Sequence, residues 1–253
     1  MTTPAGQAGS NATTKAPTKA PTKAIVLLSG GLDSTTALAW ALAQGWSCTA
    51  LSVDYGQRQK VELERAAAVA ARLGVPRRQV ALDLRAIGGS ALTDDALAVP
   101  KDRDEGRMAQ DVPVTYVPAR NTILLALALG LAEVTGADRL VIGANAIDYS
   151  GYPDCRPDFL RAFEALAGLA TKAGTEQGVR FRIEAPLLSL TKEGIVKLAL
   201  ELKAPLELTW SCYDPQGKAP GWRVCGRCDA CRLRQKGFAE AGAMDPASSG
   251  LRP

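Results

Sequence analysis

Ala24-Ile25-Val26-Leu27-Leu28 runs directly into Ser29-Gly30-Gly31-Leu32-Asp33-Ser34-Thr35-Thr36-Ala37-Leu38, and the fold turns on how that junction is read. Five apolar residues without alternation are expected of a strand buried on both faces, which means a parallel sheet covered by helices. Gly30 and Gly31 tolerate positive φ and let the backbone approach an anion. Residues 34–43 then read as a helix, so the amides of 30–34 sit at a helix N-terminus, where the dipole favours phosphate. Ser29, Ser34, Thr35 and Thr36 add hydroxyl donors. Asp33 is the odd member, because a carboxylate beside phosphate makes sense mainly as a partner for Mg2+. The G-x-x-x-x-G-K-[ST] pattern is absent, and no Lys here reaches a β- or γ-phosphate. An ordinary strand-to-helix turn also uses Gly with a Ser or Asp cap; the crowd of hydroxyls after a buried strand favours the nucleotide.

The same alternation continues downstream. A second apolar run, Cys48 to Val53, ends in Asp54-Tyr55-Gly56-Gln57, and a charged amphipathic helix follows from about Arg58 to Leu73. Val80 to Leu84 reads as a third strand. Residues 86–118 are irregular, with Gly88-Gly89 and a run of charges from Lys101 to Arg107, as in a loop or lid. After Pro118, Ala119-Arg120-Asn121 opens a strongly apolar helix to about Thr135. Arg139 to Gly143 is a fourth strand, leading into a polar loop from Asn145 to Asp158. A helix over 158–173, a strand near 179–184 and a helix from Thr191 to Leu202 complete the pattern. Such alternation predicts an α/β fold, a Rossmann-like parallel sheet with right-handed crossovers and helices on its faces. Ligands in such sheets bind at the carboxyl ends of the strands, where the loops at 29–34, 54–58 and 144–158 fall.

Outside this core, residues 1–23 repeat Lys-Ala-Pro-Thr, bury nothing and are expected to be disordered. Three of the surplus basic charges behind the net +4, on Lys15, Lys19 and Lys23, lie in that leader, so the charge balance says little about nucleic acid. No apolar run is long enough to span a membrane or resembles a signal peptide, which predicts a cytoplasmic protein. The sequence contains 0 histidines, so imidazole does no acid–base work and any metal is held by sulfur or oxygen. The boundaries expected are a leader over 1–23, an ATP-binding α/β domain over 24–209, a metal-binding module over 210–240 and a flexible tail over 241–253.

Cys225, Cys228 and Cys231 are spaced by three, and Cys212 lies upstream. Four thiols on a turn with a distant anchor match a structural, tetrahedral Zn2+ site. Gly226 supplies the tight turn, and Arg223, Arg227 and Arg232 offset the negative charge of four thiolates. An iron–sulfur cluster is the rival, but Cys-Pro does not follow the triplet. Cys48 falls within a strand and reads as core. Packing does not explain Cys155, which falls in the polar loop.

Ser29 to Thr36 resembles the pyrophosphate loop of the ATP pyrophosphatase (PP-loop) superfamily, whose members adenylate an oxygen that a nitrogen or sulfur nucleophile then displaces. Together with Asp54 to Arg58, Val117 to Asn121, Asp148 to Arg156 and the four cysteines, it resembles the 7-cyano-7-deazaguanine synthase family of queuosine biosynthesis. The resemblance covers Lys23 to about Phe238. It implies a C–N ligase making the nitrile from 7-carboxy-7-deazaguanine, ammonia and ATP, with Mg2+, one structural zinc per chain, a homodimer, and no direct binding of nucleic acid. By the same resemblance residues 28–38 (Leu28, Ser29, Gly30, Gly31, Leu32, Asp33, Ser34, Thr35, Thr36, Ala37 and Leu38) bind ATP. Asp33 places Mg2+, and Arg120 and Lys192 neutralise phosphate charge. Lys192 also reads as a solvated residue at a helix start, and Asn121 as a mere helix opener. Arg156 pairs with the substrate carboxylate, Asp148 or Asp154 accepts from the guanine-like N–H edge, and Tyr149 or Tyr152 stacks on the base. Two rivals remain: another PP-loop enzyme, such as a tRNA-thiolating, lysidine-forming or amide-forming one, and a zinc-ribbon nucleic-acid-binding module.

Overall fold

A computed structural model describes residues 20–103, 112–145, 152–219 and 221–247. Among them β1 (Lys23–Leu27), β2 (Ser47–Asp54), β3 (Arg77–Ala81), β4 (Arg139–Val141) and β5 (Arg182–Glu184) form one sheet in the order β3-β2-β1-β4-β5. Every pairing is parallel; Ile25 of β1 lies opposite Thr49 on one side and Leu140 on the other. The helices are α1 (Leu32–Ala43), α2 (Val61–Arg72), α3 (Arg120–Thr135), α4 (Pro157–Ala170), α5 (Lys172–Gln177), α6 (Lys192–Glu201) and α7 (Asp229–Glu240).

The unbroken apolar run at 24–28 now has its reason. Ile25 and Leu27 enter one core layer with Leu125, Ala128 and Leu129 of α3, while Ala24, Val26 and Leu28 enter the other with Leu38 of α1 and Ile195 and Val196 of α6. Both faces of β1 are therefore dry, and each fully buried aliphatic chain contributes roughly 1.5–3 kcal/mol.

Several boundaries differ from the sequence reading: β1 begins at Lys23, expected in the leader, β4 ends at Val141 and β5 begins only at Arg182. β3 begins at Arg77 rather than Val80 and ends before Leu82. It is an edge strand with a half-exposed face, so Arg77, Arg78 and Gln79 belong to it although they are polar; Leu84 is buried instead from a 3-10 turn capped by the Asp83 carboxylate. The helix expected over 158–173 breaks at Thr171, whose hydroxyl accepts from the Gly174 N–H at 3.0 Å and starts α5. Gly174 packs so closely on Gly168 that a Cβ there would lie 2.2 Å from the Gly168 carbonyl oxygen.

The described part of 86–118 is irregular, as expected, and packed: Ala91, Leu92, Val99 and Val117 are buried in the layer beneath α3. Lys101 forms an isolated antiparallel bridge with Cys228. The cysteine-bearing stretch after Thr209 packs onto the same layer through Trp210, Cys212, Cys228, Ala230 and Cys231, and α7 lies along α6.

Candidate active site

The chain leaves β1 toward β2 on one side and β4 on the other, so the carboxyl end of β1 is the switch point where open parallel sheets hold their ligands. A cavity opens there. Its floor is the phosphate loop, with Leu28, Ser29, Gly31, Leu32, Asp33 and Ser34 on the lining. The Ser29 and Ser34 hydroxyls are 3.0 Å apart, the Ser34 hydroxyl accepts from the Ser29 N–H at 3.2 Å, and the Gly31 N–H donates to the Ser29 hydroxyl at 3.3 Å. Gly30 is fixed twice over. Its φ is +86°, and a Cβ would lie 2.4 Å from the Glu62 carbonyl oxygen and 2.5 Å from the Ala66 nitrogen. The missing side chain thus lets α2 close against the loop.

Gly30, Thr35, Thr36, Ala37 and Leu38 do not line the cavity. The Thr36 hydroxyl donates to the Leu32 carbonyl at 2.8 Å, as a helical Thr does, and Ala37 and Leu38 are core residues. Gly143, after β4, meets the loop from the far side; a Cβ there would lie 2.9 Å from the Asp33 carbonyl carbon and the Ser34 nitrogen.

Asp33 faces Lys192. The ammonium at the start of α6 donates to both carboxylate oxygens, at 3.0 and 2.9 Å, and the Lys192 side chain is 8% exposed. Lys192 is therefore part of the cavity wall and not a solvated helix residue. α7 holds it in place, since Gly237 lies against its Cγ with no room for a methyl group.

The rest of the lining includes residues that follow β2, lie on α2 or open α3: Tyr55, Gln57, Gln59, Glu62, Arg120, Asn121 and Leu124. The Tyr55 hydroxyl bonds with Arg120, and burial pushes Tyr55 up to about 12. Burial also pushes the Glu62 carboxyl up to about 8, with the Arg120 charge pulling the other way. Asn121 opens α3 but does more than that. Its backbone N–H donates to the Asp154 carboxylate at 2.9 Å, and its side-chain amide donates to the Asp154 carbonyl at 3.1 Å and the Cys155 sulfur at 3.2 Å. These bonds tie the turn at 153–155 to the start of α3. Cys155 lines the cavity as a thiol, pushed up to about 11 by burial.

Of the residues expected to contact substrate, Tyr152 lines the cavity; its hydroxyl is 3.3 Å from that of Thr115, and its ring lies 5.4 Å from Tyr116. Asp154 is buried with one carboxylate oxygen engaged as a cap on α3, and Arg156 is exposed at the start of α4 and does not line the cavity. Asp148 and Tyr149 lie outside the described residues.

Behind the site, the sulfurs of Cys212, Cys225, Cys228 and Cys231 lie within 4.8 Å of one another. A tetrahedral ion with metal–sulfur bonds of about 2.3 Å needs sulfurs about 3.8 Å apart, so a small movement closes the set on one metal. The Cys225 N–H donates to the Cys212 sulfur at 3.2 Å and the Cys228 N–H to the Cys225 sulfur at 3.3 Å, bonds that stabilise thiolates. Hydrogen bonds among these thiols hold Cys228 below its ordinary value and push Cys212 and Cys231 above theirs. No Asp or Glu carboxylate joins them among the described residues. The Trp210 N–H, two residues before Cys212, donates to the Gly30 carbonyl at 2.9 Å, which joins the cluster directly to the phosphate loop.

Residues 23–242 match the family described as queuosine biosynthesis protein QueC. The chain belongs to that family. It is 63% identical over 225 residues to a 7-cyano-7-deazaguanine synthase of Anaeromyxobacter dehalogenans, covering 88% of this chain and 94% of the relative. The corresponding protein of Myxococcus xanthus is 58% identical over 224 residues (88% and 95%), and that of Paramagnetospirillum magneticum 56% over 225 (88% and 97%).

In this QueC chain the sequence reading passed over several wall residues: Gln59, Glu62, Gly143, Trp210 and Arg234. Gln59 and Glu62 carried a usable signal, because they follow the carboxyl end of β2 closely, within a few residues of the Asp54-Tyr55-Gly56-Gln57 stretch. Arg234 carried none. It sits on α7, buried, bonded to the Asp245 carboxylate and the Thr209 and Ser211 hydroxyls, and only the folding of α7 over α6 brings it to the cavity.

Proposed function

We propose that this QueC-family protein converts 7-carboxy-7-deazaguanine, ammonia and ATP to 7-cyano-7-deazaguanine. The observation that carries the reading is one cavity lined by the phosphate loop, the Asp33–Lys192 pair, Arg120, Tyr55, Tyr152 and Glu62. A nucleotide on the loop would share this cavity with a second reactant. The names of the relatives support the same assignment.

The chemical difficulty is a leaving group. A carboxylate oxygen does not depart, and neither does an amide oxygen; ATP solves both problems. Attack of the carboxylate on the α-phosphorus releases pyrophosphate, ammonia displaces AMP to give the amide, and a second activation lets the amide oxygen leave as the nitrile forms. In this reading the N–H groups of the loop receive the departing pyrophosphate, and Lys192 and Arg120 offset the charge that develops on it. Tyr152 gives the base an aromatic face. Mg2+, held with Asp33 and phosphate oxygens, would neutralise phosphate charge further. The closed, all-sulfur cysteine set suits zinc in a structural role, because four protein ligands leave no position for a reactant. The proposal includes a homodimer and a cytoplasmic location; none of the described helices is long and apolar enough to cross a membrane.

Purified, metal-replete protein incubated with 7-carboxy-7-deazaguanine, ammonium and ATP–Mg2+ should yield the nitrile by mass spectrometry. Failure to form nitrile, or pyrophosphate release without it, would remove the assignment. Sedimentation at micromolar concentration reads the dimer.

A further inference from the structure

The proposed reaction moves protons as well as phosphates. When ammonia adds to the adenylated carboxyl carbon, the new nitrogen must lose one proton before AMP departs. In the second stage the O-adenylated amide, bearing C=NH2+, loses one proton to become the neutral imidate. The last N–H bond then breaks, its electron pair becomes the second π bond of the nitrile, and the C–O bond breaks with its pair going to AMP. Each step needs a base beside the nitrogen.

We propose that Glu62 is that base, accepting the nitrogen's protons through its carboxylate and passing them to solvent between steps. The proposal rests on the nitrile-forming reading above. The chain has no histidine, so the base comes from a short roster of cavity side chains. Asp33 is engaged by Lys192. The Cys155 sulfur accepts from Asn121, the Tyr152 hydroxyl meets Thr115, and the Tyr55 hydroxyl is bonded to Arg120. Glu62 differs. No hydrogen bond or ion pair engages its carboxylate among the described residues, although it lines the cavity on the first turn of α2. Three residues earlier, in the loop before α2, the buried Gln59 side-chain oxygen also lines the cavity and lacks a partner. Together they are two open acceptors, the arrangement that an N–H2 group needs if one hydrogen is to be held while the other is removed.

The surroundings set the titration. Arg120 of α3 is the charge that acts on Glu62, and Tyr55 is the titratable group beside it. Glu207, from the 3-10 turn at 206–208 that packs on α2, pairs with Arg72 at the far end of the helix. Asp54 of β2 pairs with Lys60, and Asp33 is held by Lys192 across the cavity. Burial therefore dominates and pushes the carboxyl up to about 8, which matches a base working near neutral pH.

Two measurements test this. In the first, the 7-carboxamide of the deazaguanine and ATP–Mg2+ are supplied without ammonia, so that ammonia's own titration does not enter. Wild-type kcat/KM should rise with pH through about 8. Glu62→Gln should lower kcat by about 100-fold with little change in amide KM, and should abolish that rise. A Glu62→Gln enzyme within about threefold of wild type, or one that keeps the pH limb, overturns the proposal. The second measurement needs no substrate. Between the ordinary carboxyl value of 4.5 and about 8, the folded state keeps a proton that the unfolded state releases, so wild-type stability falls as pH rises through that window. Glu62→Gln lacks this penalty, and its Tm relative to wild type should climb from pH 5 to pH 8. A flat difference overturns the role of Glu62 alone. Failure of the wild type on both the amide and the acid with ammonia instead removes the nitrile reading, and the base with it.

Discussion

The proposed role of Asp33 and its observed partner pull against each other. On the phosphate loop it is the group suited to Mg2+ beside phosphate; in the structure it is also the counter-charge of buried Lys192. Asp33→Ala should therefore do more than abolish turnover. It removes a bidentate counter-ion from an 8% exposed ammonium, and the cost should be about 1–3 kcal/mol. That is below the range for a fully buried pair, because the Asp33 side chain is 23% exposed. Adding Lys192→Met to Asp33→Ala should recover part of the lost stability without restoring activity, the coupling expected of residues in contact. Calorimetric unfolding of the two single variants and the double variant checks this; additive effects would mean that the pair is not coupled. The sequence offered both residues as charges near phosphate but not as each other's partner, since they lie 159 positions apart. Asn121 was likewise visible as part of the Val117–Asn121 motif and as a helix opener, but not as a tie to 154–155, because its three bonds there are made across space.

At the scale of elements, the central strands and the loops at their carboxyl ends were legible, and the edge was not. β1 and β2 are buried on both sides, so apolarity alone marks them; β3 is half exposed, and its polar start hid it. The same limit applies to helix packing. Nothing in the sequence of α7 says that Gly237 rests on Lys192, yet a Cβ there would lie 2.5 Å from Cγ and 3.1 Å from the Lys192 carbonyl carbon. Gly237→Ala should push α6 away from α7 and draw the ammonium off Asp33. The expected result is a destabilisation of about 1–3 kcal/mol, as for overpacking, and a raised KM for ATP with unchanged metal content. A helix interior would otherwise gain stability from this substitution, by roughly 0.5–1 kcal/mol. A more stable, fully active Gly237→Ala protein would show that α7 does not position Lys192.

Over the whole molecule, the cysteine cluster and the nucleotide loop are one structure. Cys212, Cys228 and Cys231 share a core layer with β1 and α3, Trp210 bonds to Gly30, and α7 begins at the last two cysteines and ends beyond Gly237. The spacing of the thiols made a four-sulfur cluster that could hold a metal readable from the sequence; its attachment to the phosphate loop was not, because the connection runs through a backbone N–H of Trp210. A metal there would fix the start of α7 and the 210–212 segment together, and so fix both Lys192 and Gly30 from behind. Cys228→Ser should lower metal content and Tm. It should also weaken ATP binding in calorimetric titrations at temperatures where the variant is still folded, although no cysteine touches the phosphate loop. Stripping the wild-type protein with a chelator should give the same two losses, and restoring zinc should reverse them. A protein that lost its metal and its Tm but bound ATP as before would separate the cluster from the site. The hydrogen bond from Trp210 to Gly30 would then be a consequence of packing and not the route by which the metal supports the loop.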